Sequence, residues 1–397
     1  MTLSKPRLFN KNLVLLIFCQ GLFLTNNVTF IAINGLVGFY LAPIAWMATL
    51  PVMGYVVGGA FSTPFVAKAQ RAFGRRRSFQ LGLLVAICSS LICAFAASTK
   101  NFWLLSFGTF FAGYYSANGQ LYRFAASELT HVSLREKAIS WVLAGGILGA
   151  IVGPNLASWT KNLFEIQFLG AYLTLTIAGV IGIAIMQFIH FPDEHQTVSQ
   201  STGRPLSAII RQPVFIVAVM SAALGYGVMN LLMAATPLAM QVCGFSFADT
   251  ATIIQWHVIG MFAPGFFTGN LIKRFGTLKI MGIGVALTGA CIITALNGAD
   301  FNHFFAALLM LGLGWNFLFT GATTLAMTAY HPHEKDKAQG LINFFVFGVM
   351  AFSSFGSGAL VTTQGWSFLN MGSTLPVIIT GLGLIWLGFN PKHRNPI

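Results

Sequence analysis

Asn26 and Asn27 stand side by side in an apolar stretch. Adjacent residues on a helix point about 100° apart, so one amide can face a cavity while the other bonds a neighbouring helix. Farther along, Tyr115, Asn118 and Tyr122 recur at i, i+3 and i+7 and share one helical face, with Ser116, Gln120 and Arg123 as the adjacent stripe. Arg123 is the one formal charge placed well inside an apolar run. A cation beside aromatic rings suits an anionic or planar, oxygen-rich ligand. The alternative is that Arg123 snorkels or pairs with Glu128. Asn230 with Tyr226, and Trp315-Asn316 behind Gly312 and Gly314, form a second set: rings to stack on and amides to hydrogen-bond. Trp315 as packing, or as part of an interfacial belt, stays open.

The titratable residues point to binding rather than catalysis. His257 is the one histidine well within an apolar run, and it could carry a proton or serve as a neutral hydrogen-bonder. All nine acids fall in loops or at helix ends, so a buried carboxylate to hold a coupling proton is not evident. Asp249 becomes a coupling candidate if its helix starts deeper than the pattern suggests. No His, Cys or carboxylate lies at metal-ligand spacing, so no metal site and no cofactor are expected. The cysteines (Cys19, Cys88, Cys93, Cys243, Cys291) show no CxxC spacing and read as lipid- or core-facing thiols.

These side chains are positioned by a membrane-embedded chain. Of 397 residues 56% are hydrophobic and 8% charged, against roughly a quarter charged in soluble domains. Such a chain cannot cover a water-facing surface with polar groups. A hydrocarbon core of about 30 Å needs about 20 apolar residues per helix. That ruler predicts twelve helices, near 12–35, 43–67, 79–98, 102–127, 138–160, 167–190, 213–236, 248–272, 279–297, 303–328, 338–362 and 372–390. The longest polar stretch, 191–212, separates an N-terminal six-helix bundle (1–190) from a C-terminal one (213–397). The basic start (Lys5, Arg7, Lys11) runs into apolar sequence without a small-residue cleavage site, so the first helix is expected to be its own anchor.

The net charge of +13 could suggest nucleic acid, but the cations cluster between apolar runs, the pattern that orients a membrane protein. Nineteen Lys and Arg fall on one side and only Lys100 and Lys161 on the other. That bias predicts cytoplasmic termini and a cytoplasmic central linker. The halves are also repeats. Arg71-Ala72-Phe73-Gly74-Arg75-Arg76-Arg77 matches Lys273-Arg274-Phe275-Gly276, and Arg135-Glu136-Lys137-Ala138 matches Lys335-Asp336-Lys337-Ala338, at nearly one offset. Duplicated six-helix units are a common transporter architecture.

With these motifs in view the chain resembles the major facilitator superfamily over its whole length. The family's loop motif, G-x-x-x-D-R-x-G-R-R, is matched by Ala67 through Arg76 and again from Gly269 through Gly276, with Arg71 and Lys273 in place of its Asp. In the family that Asp closes a charge relay at the cytoplasmic gate, so such gating is in question here. Gly74 and Gly276 would permit tight turns, and Arg75, Arg76 and Arg274 would face anionic head groups. Gly145, Gly149, Gly153 and Pro154 resemble the helix-five motif known best in exporters; plain small-residue packing explains them equally. The resemblance implies that helices one, four, seven and ten line a central cavity while three, six, nine and twelve face lipid. The polar residues are distributed in keeping with that.

The fold expected is all-α, with twelve transmembrane helices in two pseudo-symmetric bundles. The function expected is secondary transport of a small organic solute by alternating access across a bacterial inner membrane, by a monomer contacting lipid and no nucleic acid. The proteobacterial permeases it resembles include carriers of vitamins such as riboflavin, of siderophores and of drugs. A drug or metabolite exporter is the alternative, and an intramembrane enzyme using His257 or His303 a distant one. Walker motifs are absent.

Overall fold

Apolar runs inside a bilayer must satisfy their own backbone polar groups, and helices do so locally. The computed structural model describes residues 9–131, 134–192, 204–331 and 334–390, without the side chains of Glu136, Lys335 and Asp336. Lys5, Arg7, Lys392, Arg394 and residues 193–203 of the linker lie outside the described residues. Within them the chain is helical and divides into two compact units, Met1–Pro43 with Leu50–His195 and Ile44–Thr49 with Gln196–Ile397.

The first unit holds α1 (Lys11–Leu41), α2 (Leu50–Ser98), α3 (Phe102–Gly119), α4 (Tyr122–Glu128), α5 (Arg135–Thr160) and α6 (Leu169–Gln187). α2 contains two of the predicted spans in sequence, joined at Gly74, whose φ of 76° and ψ of 170° break the helix in a region that favours glycine. α1 packs against α5 through the glycine row. A Cβ on Gly149 would come within 2.5 Å of the Thr25 nitrogen, and one on Gly145 within 2.6 Å of the Ile17 carbonyl oxygen. Only glycine permits that approach. Thr29 then donates to the Gly153 carbonyl at 3.0 Å, binding the two helices just before Pro154 acts on α5.

The second unit holds α7 (Leu206–Ile210), α8 (Pro213–Val242), α9 (Phe247–Phe262), α10 (Gly265–Phe275), α11 (Thr277–Asn297), α12 (Phe301–Ala326), α13 (Lys335–Thr363) and α14 (Gly365–Phe389). Gly276, φ 91°, turns the chain between α10 and α11. The repeat is visible in the backbone: Leu134 donates to the His131 carbonyl at 2.8 Å, and Glu334 to the His331 carbonyl at 2.9 Å, as each chain enters α5 or α13. Large apolar side chains on α6 (Ile177, Val180, Ile181), α11 (Ile283, Ile293) and α14 (Leu375, Ile378, Leu382, Ile385) are exposed, which suits lipid contact.

Nine helices among the described residues are long and apolar enough to cross a membrane. The difference from twelve has local causes. Two predicted spans lie within α2, one on each side of the break at Gly74, and are counted together. The predicted helix 102–127 is broken at Gln120-Leu121 into α3 and α4, and 248–272 is broken at Ala263-Pro264 into α9 and α10. The fourth helix therefore does not carry Arg123 in an unbroken interior. Tyr122 and Arg123 open a separate short helix.

Candidate functional site

In the first unit the break after Gly119 reorganises the expected face. A Cβ at position 119 would fall 2.2 Å from the Phe23 ring, so glycine there lets α1 lay Phe23 across the end of α3. Phe23 meets Tyr115 edge-on at 5.5 Å and Tyr122 at 6.1 Å, and Phe79 meets Tyr122 at 4.8 Å. Tyr115, Asn118 and Tyr122 are all buried; the Asn118 Oδ1 accepts from Ser78 Oγ at 3.5 Å. That row is packing between helices. The neighbouring row is the open one, with Ser116 and Arg123 half-buried and Gln120 exposed. Arg123 also lies over the Phe124 ring, 4.9 Å from its centre. Glu128 does not pair with Arg123: it accepts from Nε and Nη2 of Arg75, at 3.1 and 2.5 Å.

The two adjacent amides of α1 diverge as helical geometry requires. Asn26 is buried, and its Oδ1 has no hydrogen-bond partner among the described residues. Asn27 is half-buried and donates to the Tyr55 hydroxyl at 3.0 Å. Tyr55, on α2, escaped the sequence reading because nothing in its own neighbourhood is polar; only the pairing with Asn27 reveals it.

The second unit splits Trp315 from Asn316. Asn316 is buried, donates to the Met261 carbonyl at 2.6 Å and accepts from Thr268 Oγ1 at 2.7 Å. Those partners flank the Ala263-Pro264 break, so Asn316 on α12 braces the junction of α9 and α10. Trp315 stands in an aromatic cluster. Phe319 stacks on it at 5.1 Å and 8°, and Tyr226 meets both edge-on at 5.2 and 5.3 Å. Phe262 approaches Trp315 at 6.3 Å. Tyr226, Phe262 and Phe319 are half-buried, and the Trp315 indole nitrogen has no hydrogen-bond partner among the described residues. Trp315 and its indole nitrogen are buried, so the aromatic surface the cluster presents is that of Tyr226, Phe262 and Phe319.

Asn230 is occupied between helices: its Nδ2 reaches Ser353 Oγ at 2.9 Å, Ser354 Oγ at 2.8 Å and the Met350 carbonyl at 3.2 Å, tying α8 to α13. His257 is fully buried, with Nδ1 2.7 Å from the Leu308 carbonyl oxygen. A carbonyl only accepts, so Nδ1 carries the proton and donates, joining α9 to α12. Asp249 belongs to a capping box: it accepts from Ser246 N at 3.1 Å, while Ser246 Oγ accepts from Asp249 N at 3.2 Å. α9 begins at Phe247, which places Asp249 in the first turn.

The profile of the Major Facilitator Superfamily matches residues 13–354 and 256–396. The chain belongs to the major facilitator superfamily. It is a multi-pass membrane protein and a secondary transporter of a small solute. It is 38% identical to the riboflavin transporter RfnT of Brucella anthropi over 96% of both chains. It is 25% identical to an uncharacterized transporter of the same superfamily, YddS of Bacillus subtilis, over 96% of this chain and 92% of that one. Among solved structures it is similar to the nucleoside transporter NupG, TM-score 0.73 at 13% identity, covering 96% of this chain and 99% of that one. It is also similar to the POT family transporter PepTSo, TM-score 0.73 at 12% identity, covering 98% and 99%. These structural likenesses speak to the fold.

Against the superfamily's loop motif, Arg71 and Lys273 are exposed where the family has Asp, and so are Arg76 and Arg274. Arg75 alone of the first copy is drawn inward, holding Glu128 and also contacting Gln70. Lys273 and Arg274 occupy the last turn of α10, where cations complement the helix dipole. The two copies therefore share a glycine turn but not an ion pair.

Proposed function

We propose that this transporter carries riboflavin, or a closely similar flavin-type vitamin, across a bacterial inner membrane by alternating access, with both termini in the cytoplasm. The observation that carries the reading is the 38% identity to a riboflavin transporter over 96% of the chain. The chemistry of the two units supports it. A flavin joins a planar heteroaromatic ring to a flexible polyhydroxyl tail. The aromatic cluster of Trp315, Phe319 and Tyr226 suits the ring. The first unit, by itself, has half-buried or exposed polar side chains at Asn27, Ser116, Gln120 and Arg123, groups able to hydrogen-bond hydroxyls. The nineteen-to-two distribution of cations supports the orientation.

The test is complementation. A riboflavin auxotroph lacking its own uptake system, expressing this chain, is expected to grow on low external riboflavin and to accumulate labelled riboflavin. Growth indistinguishable from the empty vector, with the protein present in the membrane, rules the reading out. Faster loss of preloaded riboflavin would make the protein an exporter instead.

A further inference from the structure

An open apolar groove in the second unit involves none of the residues assigned above. It is a cavity of about 280 Å³ walled by the first halves of α8 and α13, with Ile210 of α7 at one end; Ile216, Met220, Leu341 and Phe345 are among its lining, which is apolar throughout. Ile210, Ile216, Met220 and Phe345 are 38–46% exposed, so the groove is open along its length. A second recess of this unit, between α8, α11, α12 and α14, is about 10 Å³, too small for an acyl chain.

Two cations mark one end of the groove. Arg211 directly follows Ile210, and Lys337 precedes Leu341 by four residues, so Lys337, Leu341 and Phe345 run along one side of α13. Both cations are exposed, and neither forms an ion pair among the described residues. Arg204, nearby in sequence, is by contrast committed to Glu334.

We propose that this groove holds one acyl chain of an anionic glycerophospholipid, with the phosphate at Arg211 and Lys337. Bulk lipid is as apolar as the groove, so the chain contributes shape but little selectivity. Preference must come from the cations, each favouring an anionic head group by about fivefold. A chain lodged there lies between α8 and α13 near their starts; farther along, Asn230 joins the same helices through Ser353 and Ser354. The lipid and that polar tie would together set the spacing of the pair.

The experiment uses the full-length protein in phosphatidylcholine nanodiscs doped with phosphatidylglycerol carrying a diazirine on one acyl chain, with adducts mapped by peptide mass spectrometry. Adducts are expected to concentrate on peptides covering 216–223 and 341–349. They should fall by about 25-fold in the Arg211→Gln, Lys337→Gln double variant. A diazirine phosphatidylcholine probe should label the double variant and wild type alike, and the variant should elute as wild type on gel filtration. Met220→Trp, at an exposed position, should lower labelling by both probes. Labelling no denser than on the exposed faces of α6 and α11, or a double variant labelled like wild type, overturns the proposal.

Discussion

Arg204 closes a two-pronged ion pair on Glu334, donating from Nε at 2.9 Å and from Nη2 at 2.7 Å to a carboxylate with none of its side-chain surface exposed. The Arg204 backbone nitrogen and that of His331 also donate to it, and Arg204 reaches the Ala329 carbonyl. The end of the linker is thereby fastened to the turn that enters α13. Leu134 occupies the matching position in the first unit, so the fastening is not part of the repeat.

The Arg204 hydrogen bonds hold the Glu334 carboxyl well below the usual carboxylate range. A depressed carboxylate contributes stability that is present above its unfolded value, roughly pH 4.3, and is lost as pH falls below it. Glu334→Gln and Arg204→Ala should each lower the Tm by several degrees at neutral pH. The gap between wild type and Glu334→Gln should narrow as pH is lowered below about 4.3, read by thermal unfolding in detergent. A gap unchanged with pH would show that the ion pair adds nothing.

Gly149→Ala should destabilise by about 1–3 kcal/mol, because the added methyl meets the backbone of α1. Gly282→Ala in α11, where a Cβ meets nothing within 4 Å, is the matched control and should leave the Tm nearly unchanged. Equal melting of the two variants would mean that α1 and α5 do not approach this closely.

Trp315→Ala removes the centre of the aromatic cluster and should raise the KM for the transported solute by about two- to tenfold, from the roughly 0.5–1.5 kcal/mol of an aromatic pair. Trp315→Phe should recover most of it. An unchanged KM in the alanine variant would move the ring-binding surface elsewhere.

Asn27→Ala and Arg123→Ala should reduce uptake while the protein's abundance stays near wild type. Asn316→Ala should instead lower abundance and Tm, since it strips buried partners on both sides of a helix break at about 1–3 kcal/mol. Immunoblotting beside uptake separates the two patterns. Loss of abundance in all three would make Asn27 and Arg123 structural.

His257→Gln should lower the Tm and leave the response to an imposed pH gradient in proteoliposomes intact. His257 is fully buried and its Nδ1 is committed to the Leu308 carbonyl, while Nε2 has no hydrogen-bond partner among the described residues. A variant that still moves substrate downhill but ignores the gradient would assign the coupling proton to His257.

Much of this was legible in the chain itself. Membrane helices satisfy their backbones locally, so runs of apolar residues report them without reference to the rest of the fold. The duplication is likewise a matter of residues in order, as Gly74 and Gly276 show. The superfamily and its all-helical fold follow from such local signals. The break at Gln120-Leu121, where Phe23 crosses Gly119, did not, whereas the one at Ala263-Pro264 carries a local signal in Pro264-Gly265.

What tertiary structure alone decided is which polar atoms are already taken. Periodicity placed Tyr115, Asn118 and Tyr122 on one face, yet that face is closed by Phe23 and Phe79, and the adjacent row with Gln120 and Arg123 is the open one. Glu128 was within local reach of Arg123 and went to Arg75, which is 53 residues away. Asn316 and Trp315 are neighbours in sequence, and one became a brace and the other part of an aromatic surface. A polar side chain in an apolar surround takes the nearest partner in space, and that partner comes from another helix, so no reading along one helix can tell a spent group from an available one.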